Sequence, residues 1–382
     1  MVDFRLTDEQ LALQQTARKF AQTEMAPQAA HYDQTGEFPR SIIENAWKVG
    51  LINESIPAEY GGLGLDGLSA CVLTEELAAG CAGMTTSMMV NTLGQTPILV
   101  AGTKEQIEKW IVPFTREFRF SSFCLTEPSS GSDVANMNTT ARKVGDTYVL
   151  NGRKCFITNG GVADVFTVFA TLDPAKGHRG ICAFVVAADT PGVSAGKKED
   201  KMGQRASNTT DVLFEEAAIP AENLLGREGE GFKIAMKTLD RTRPAIGALA
   251  VGLARSAYEH AVRYARARNA FGMPIAMFQA VQFMIADMAK DIEASRLLTW
   301  QAAWMIDQGI NASKFSAFAK CFATDAAMRV TTDAVQIFGG YGYSKEYPVE
   351  KLMRDAKLLQ IYEGTNQIQR MIMAREIFKE SQ

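Results

Sequence analysis

Histidine and paired cysteine are scarce in this sequence. It has three histidines and six cysteines in 382 residues. Cys71, Cys81, Cys124, Cys155, Cys182 and Cys321 are scattered, with no CxxC pair. Neither a structural metal nor a disulfide framework is expected, and reduced, mostly buried thiols are the default. Long apolar runs are also missing: none approaches the ~18 unbroken apolar residues of a membrane span. Charge of one sign is missing too. Forty basic residues stand against 43 acidic ones, a net charge of −3, which provides no basic surface for nucleic acid. The opening MVDFRLTDEQ has no basic n-region and no apolar h-region, so it does not read as a secretory signal.

What remains is ordinary globular composition, 47% apolar and 22% charged, at a length that suits two or three structural units. The first part is helical in character. Thr7-Asp8-Glu9-Gln10 is a capping box, and helices are expected from Ser41 to Gly50, Ser69 to Ala79, Thr86 to Ala101 and Thr103 to Phe114. Gly62-Leu63-Gly64-Leu65-Asp66-Gly67 matches G-x-G-x-x-G letter for letter. The preceding Ile56 to Tyr60 is too short and too broken by Pro57 to be the strand a dinucleotide loop requires, so it is a connecting loop.

The pattern changes at Phe120. A short strand over Ser121 to Leu125 is followed by runs at Tyr148–Leu150, Cys155–Thr158, Val165–Ala170, Ile181–Val186 and Thr209–Phe214. Gly145-Asp146 and Asn151-Gly152 flank the first of these runs as hairpin signals. The spacing predicts an antiparallel unit, a small barrel or paired sheets. From Gly231 the helical period returns, over Phe232–Leu239, Gly247–Arg268, Phe278–Gln308, Lys314–Phe338 and Val349–Gln360, as an antiparallel bundle. The fold class is therefore α+β and mostly α: an N-terminal helical domain (1–119), a middle antiparallel β domain (120–230) and a C-terminal four-helix-type bundle (231–382).

Near the end, Glu363-Gly364-Thr365-Asn366 interrupts an apolar helical pattern. A bent join there points Glu363 sideways into a cavity, where burial raises a carboxyl pKa toward that of an effective base. The alternative is an exposed glutamate beside a helix-ending glycine.

Eight runs, in order, resemble the acyl-CoA dehydrogenases. They are CLTEPSSGSD (Cys124–Asp133), NGRKCFITNGG (Asn151–Gly161), KMGQRASNT (Lys201–Thr209), LDRTRP (Leu239–Pro244), RNAFG (Arg268–Gly272), TTDAVQIFGGYGY (Thr331–Tyr343), EYPVEKLMRDAK (Glu346–Lys357) and IYEGTNQIQ (Ile361–Gln369). The similarity covers essentially the whole chain and points to the medium-chain or short-chain branch. It implies an FAD enzyme that oxidises acyl-CoA thioesters to 2-enoyl-CoA and passes electrons to electron-transfer flavoprotein. A homotetramer, or else a homodimer, is implied as well.

Carried over residue by residue, the resemblance makes Glu363 the base. Some relatives carry the base at the position of Thr242, which cannot serve. Phe123, Leu125, Thr126 and Ser132 would lie along the flavin, with Phe156, Ile157 and Thr158 beside its ring; relatives usually have Trp where Phe156 stands. Arg268, Phe271, Phe278, Gln279, Gln336, Ile337, Gly339 and Gly340 match positions that contact FAD from a neighbouring subunit, and Thr365 and Gln367 complete the cofactor set. Asn269-Ala270 departs from the Lys-Thr of the close relative. Ser132, Asp240 and Arg243 match contacts to CoA, while Tyr362, Gly364 and Met88 match the thioester and tail pocket. Thr86 to Gly94 would form the wall at the tail end, with no Arg or Lys to greet a second carboxylate. No metal is implied. The location implied is a bacterial cytoplasm or, for a mature chain, the mitochondrial matrix. Competing readings are an enoyl-CoA reductase or a cyclic or branched acyl-CoA dehydrogenase of the same family, and a non-catalytic acyl-CoA or flavin-binding protein.

Overall fold

The computed structural model describes residues 4–380; residues 1–3 and 381–382, which the expected outer domains include, lie outside it. The chain opens with helices α1 (Asp8–Phe20), α2 (Ala29–Thr35), α3 (Arg40–Lys48), α4 (Gly67–Gly80), α5 (Ala82–Ala101), α6 (Lys104–Trp110) and α7 (Pro113–Arg116). The capping box forms as expected at Thr7, and a second one forms at Thr103. In each, the threonine hydroxyl and the third-position glutamine satisfy two otherwise orphaned N–H groups. Helix α2 had no signal in the apolar spacing; it is short, and Asp33 is its only buried residue. Helix α4 starts at Gly67 under an Asp66 cap, but a 3-10 turn precedes it, not a strand. The glycine-rich match is therefore a loop.

The middle of the chain is one eight-stranded sheet built from β1 (Ser121–Cys124), β2 (Thr140–Val144), β3 (Thr147–Thr158), β4 (Val165–Thr171), β5 (Ile181–Ala187), β6 (Val193–Lys198), β7 (Thr209–Pro220) and β8 (Leu224–Leu225). Its order is β6-β7-β3-β2-β4-β5-β8, with β1 beside β4. The expected antiparallel pairing holds for most ladders; β1 and one bridge from β2 meet β4 in parallel. Strands β4 and β5 read as continuous apolar runs because both of their faces are buried. Phe166, Val168, Phe184 and Val186 pack toward the N-terminal helices, while Phe169, Ile181 and Val185 pack in a second cluster with Ile98, Phe114 and Leu239.

One turn signal misled. Gly145-Asp146 does make the β2–β3 hairpin, but Asn151-Gly152 lies inside β3 at a register shift against β7. Gly152 has φ 152°, and a Cβ there would lie 2.5 Å from the Thr139 hydroxyl. The glycine makes a bulge and a close crossing, not a turn.

The C-terminal part holds α8 (Gly231–Ala267), a small hairpin of β9 (Asn269–Ala270) and β10 (Met273–Pro274), then α9 (Gln279–Asp307), α10 (Ser313–Phe338), α11 (Val349–Leu359) and α12 (Asn366–Glu380). The two segments expected before Arg268 are a single 37-residue helix that runs through Pro244. Proline lacks an N–H, so the Asp240 carbonyl loses its partner in the ladder. Packing on both sides carries the helix across that gap: Arg243, Pro244 and Ile246 to Ala254 are all buried.

Helices α4 and α8 approach closely at Gly252. Buried Glu75 and Glu76 on α4 are held there by Arg255 of α8, Arg296 of α9 and Arg18 of α1, at 2.7–3.1 Å. A Cβ at Gly252 would lie 2.1 Å from the Glu75 carbonyl oxygen. Gly252→Ala should force the two helices apart at a cost of about 1–3 kcal/mol. Thermal unfolding followed by circular dichroism should show the midpoint falling by several degrees; an unchanged midpoint would contradict the close packing.

Candidate active site

Between α11 and α12 the backbone makes the bend expected from the Glu-Gly break. Glu363 has φ 51° and Gly364 has φ 88°. A non-glycine residue in this region is strained and persists only where its surroundings fix it. Here Lys320 Nζ donates to the Gly364 carbonyl at 2.9 Å, and Gln369 Nε2 donates to the Glu363 and Gly364 carbonyls at 3.3 and 2.9 Å. Thr365 accepts from the Ile368 N–H and starts α12. The bend aims the Glu363 side chain into a cavity of about 710 Å³.

Several elements converge on that cavity. Helix α5 presents Thr86, Met89, Val90 and Leu93, and α8 presents Leu239, Asp240, Arg243 and Ile246. Strand β1 and the loop after it bring Phe123, Leu125, Thr126 and Ser132, while the end of β3 brings Phe156, Ile157 and Thr158. Tyr362, Glu363 and Gly364 close one side, with Met371 and Arg375 of α12 beyond them. Twelve of the residues singled out in the sequence are thus gathered in one place.

Met88 is not among them. It is 2% exposed and packs in the core with Met84 and Phe120; its neighbour Met89 faces the cavity instead. Successive helical residues differ by about 100° in direction, so one position decides the face. Met89, Leu93, Thr242 and Glu363 also border a smaller chamber of about 120 Å³.

The expected FAD tail contacts fall elsewhere. Arg268, Ile337, Gly339 and Gly340 line a separate pocket of about 560 Å³. Phe271, 93% exposed, meets Phe278 edge to face at 6.0 Å, and Gln279, Gln336 and Gln367 are at the surface.

Burial pushes the Glu363 carboxyl upward, opposed by a hydrogen bond from Thr242 and by the charges of Arg243 and Lys320. The Thr242 hydroxyl donates to Glu363 Oε2 at 2.8 Å. Arg243 is 2% exposed, pairs with Asp240, and leaves its Nε without a hydrogen-bond partner. Tyr362 is also pushed up by burial; its hydroxyl is 3.5 Å from that of Thr86, which donates to Gln204 at 2.7 Å. Gln204 is tied in turn to Asp355 of α11 through its backbone N–H and its side chain.

Thr242, Gln204 and Lys320 were missed as site residues. The resemblance marks Thr242 only as the position where some relatives carry the base. The other two lie 159 and 43 positions from Glu363; Gln204 falls within the matched run Lys201–Thr209, a signal that could have found it, while no matched run includes Lys320.

Among the described residues no group of His, Cys, Asp or Glu could hold a metal ion, and no helix is long and apolar enough to cross a membrane.

The arrangement has counterparts among known proteins. Family models for the N-terminal, middle and C-terminal domains of acyl-CoA dehydrogenase match residues 7–117, 122–217 and 229–378. The chain is 47% identical over 371 residues to an acyl-CoA dehydrogenase of Bacillus subtilis, covering 97% of this chain and 98% of the other. It superposes on butyryl-CoA dehydrogenase from Megasphaera elsdenii with a TM-score of 0.96 at 44% identity, over 99% and 100% of the two chains. A chain in a structure of the electron transferring flavoprotein of Acidaminococcus fermentans gives 0.97 at 46% identity, again over 99% and 100%. The chain therefore belongs to the acyl-CoA dehydrogenase family, as a flavoprotein oxidoreductase with the helical, β and helical parts of that fold.

Proposed function

We propose that this protein catalyses FAD-dependent α,β-dehydrogenation of a short- or medium-chain acyl-CoA to the trans-2-enoyl-CoA, with electrons leaving to electron-transfer flavoprotein. The observation that carries the reading is the Glu363 carboxyl, held on its bend in a largely apolar cavity that Phe156 and Thr158 also line.

The cofactor fits the residues present. Phe156 has φ 56° and is 67% exposed, so its ring stands clear of the sheet. Gly131 leaves open space where a Cβ would stand, which suits close backbone approach. Thr126, Ser132, Phe156, Ile157 and Thr158 would hold the flavin. Gly339 and Gly340 have the same openness beside Arg268 and would receive the far end of a neighbouring subunit's FAD. That sharing, with exposed Phe271 and Tyr343, supports a homo-oligomer, a tetramer by resemblance. FAD, when bound, supplies a hydride acceptor for the substrate β-carbon.

The chain's own residues supply the rest. Glu363 removes the α-proton, and its backbone N–H stabilises charge on the thioester oxygen. Desolvation makes Glu363 a stronger base than an exposed carboxylate, while Thr242, Arg243 and Lys320 oppose that rise and favour the ionised form. Asp240, Arg243 and Ser132 would receive CoA. Met89, Val90 and Leu93 form an apolar tail wall, and the α5 residues that line the cavity include no cation for a second carboxylate. Boundaries near residues 119 and 230 divide the three parts.

Glu363→Gln should retain FAD and lose flavin reduction by acyl-CoA at least ~10²–10⁴-fold, the usual worth of a general base. Bleaching of the flavin band at the parent rate would end the assignment. The same variant should melt higher at neutral pH. A carboxyl whose folded pKa is raised loses stability as pH rises from its unfolded value through its folded one, and glutamine removes that loss.

Anaerobic titration with butyryl-, octanoyl-, palmitoyl- and cyclohexanoyl-CoA should bleach the flavin with one of the first two. Met89→Ala should merge the two chambers and move the kcat/KM optimum to longer tails, each added buried methylene contributing up to about 0.8 kcal/mol. A shift toward shorter tails would refute Met89 as the partition.

A further inference from the structure

Lys320 is among the largest side chains that α10 buries completely. Its ammonium donates to the Gly364 carbonyl and to Asn366 Oδ1, both at 2.9 Å, and forms no salt bridge among the described residues. A buried ammonium without a carboxylate contact is costly. A neutral donor would serve those two oxygens equally well, since Gln369 already donates to the same carbonyl.

The ammonium differs from a neutral donor in its charge. Burial pushes Lys320 down to about 8, and the charge of Glu363 is the largest opposing influence. Each group is thus felt by the other across the bend.

We propose that Lys320 is a positioning residue for the catalytic base, fixing the Glu363–Gly364 bend through its carbonyl and holding the Glu363 carboxylate ionised through its positive charge. The inference rests on Glu363 being the base. It adds a partner on α10, a helix that contributes nothing to the cavity wall.

Asn366 shows how the anchor is built. Its side chain accepts from Lys320, donates to Asp325 Oδ1 at 2.7 Å and to Thr324 Oγ1 at 2.9 Å, and is 2% exposed. The first residue of α12 and the carbonyl before it but one are therefore locked to the same face of α10. Other charges face Glu363 as well: Arg243 with Asp240 from α8, Arg375 from α12, and Glu54 and Asp307 across the smaller chamber. Tyr362 adjoins it. All of these stay in place when only position 320 changes.

Stopped-flow flavin reduction by butyryl-CoA and octanoyl-CoA, measured against pH on the holoenzyme, tests the idea with Lys320→Gln and Lys320→Met. Glutamine keeps a donor and removes the charge. The ionised base is then less favoured, so the acidic limb should move to higher pH by roughly one unit, within the range an opposite charge produces. The rate should fall about tenfold near the acidic end and converge with the parent above the new midpoint. Methionine also removes the donor, and should be slower at every pH.

An unmoved midpoint in Lys320→Gln would overturn the charge role. So would an equal loss at all pH values, or failure of that variant to fold with FAD, because the lysine would then serve packing alone. Glu363→Gln distinguishes the two readings. If it still bleaches, the base assignment fails; if it is inactive while Lys320→Gln keeps the parent profile, only the role of Lys320 fails.

Discussion

A carboxylate kept in an apolar cavity on a left-handed backbone residue is the constraint that much of this structure serves. Removing Glu363 from water makes it a better base and also threatens to neutralise it. One hydroxyl and two cations settle the balance, and they come from helices 121 and 43 residues away in the chain. The backbone conformation that aims the side chain is itself unfavourable for a glutamate. It is maintained by buried donors on its two carbonyls, from α10 and from α12.

The rest of the molecule can be understood as the support for that arrangement. Helix α8 must bring Thr242, Arg243 and Asp240 to the cavity at the turn that Pro244 leaves without a ladder hydrogen bond. Its neighbours hold it there through the Gly252 contact and through Glu75 and Glu76, each matched by arginines from other helices. Across the sheet, Lys154 is fully buried against Glu127 at 2.7 Å, and Glu127 also accepts the N–H groups of Asn138 and Thr139. That cluster fixes the loop carrying Thr126 and Ser132. Asp33 of α2 reaches Arg354 of α11 at 2.6 Å, and Lys351 reaches Asp355 at 2.6 Å. The first helices of the chain thereby brace the helix that leads into the bend. Buried pairs of this kind add little net stability, but removal of one member leaves an uncompensated charge. They fix position more than they strengthen the fold.

What could be read in the sequence was what has a local cause. Capping boxes at helix starts, the glycine-rich loop rejected for want of a strand, and the break at Glu363-Gly364 all depend on residues within a turn or two of one another. The expectations that failed are those where distant packing overrode a local preference. Asn151-Gly152 reads as a hairpin, yet Thr139 crosses so close that glycine is needed mid-strand. The helical period breaks off between Leu239 and Gly247, yet burial on both sides carries α8 through Pro244. Met88 and Met89 look alike in the sequence, and only the rotation of α5 against β1 decides which one meets the cavity.

By itself the sequence determined the order of helical and β parts, the apolar faces that bury them and the backbone break at Glu363-Gly364, because periodicity, capping chemistry and the matched runs are properties of neighbouring residues. Tertiary structure alone decided that both faces of β4 and β5 are buried, that Phe156 and Thr158 line one pocket while Arg268 and Gly339 line another, and that Thr242, Gln204 and Lys320 surround Tyr362 and Glu363. Those relations join positions tens to hundreds of residues apart. Contacts of that kind exist only after the chain has closed its long loops, and no local pattern encodes which partners will meet.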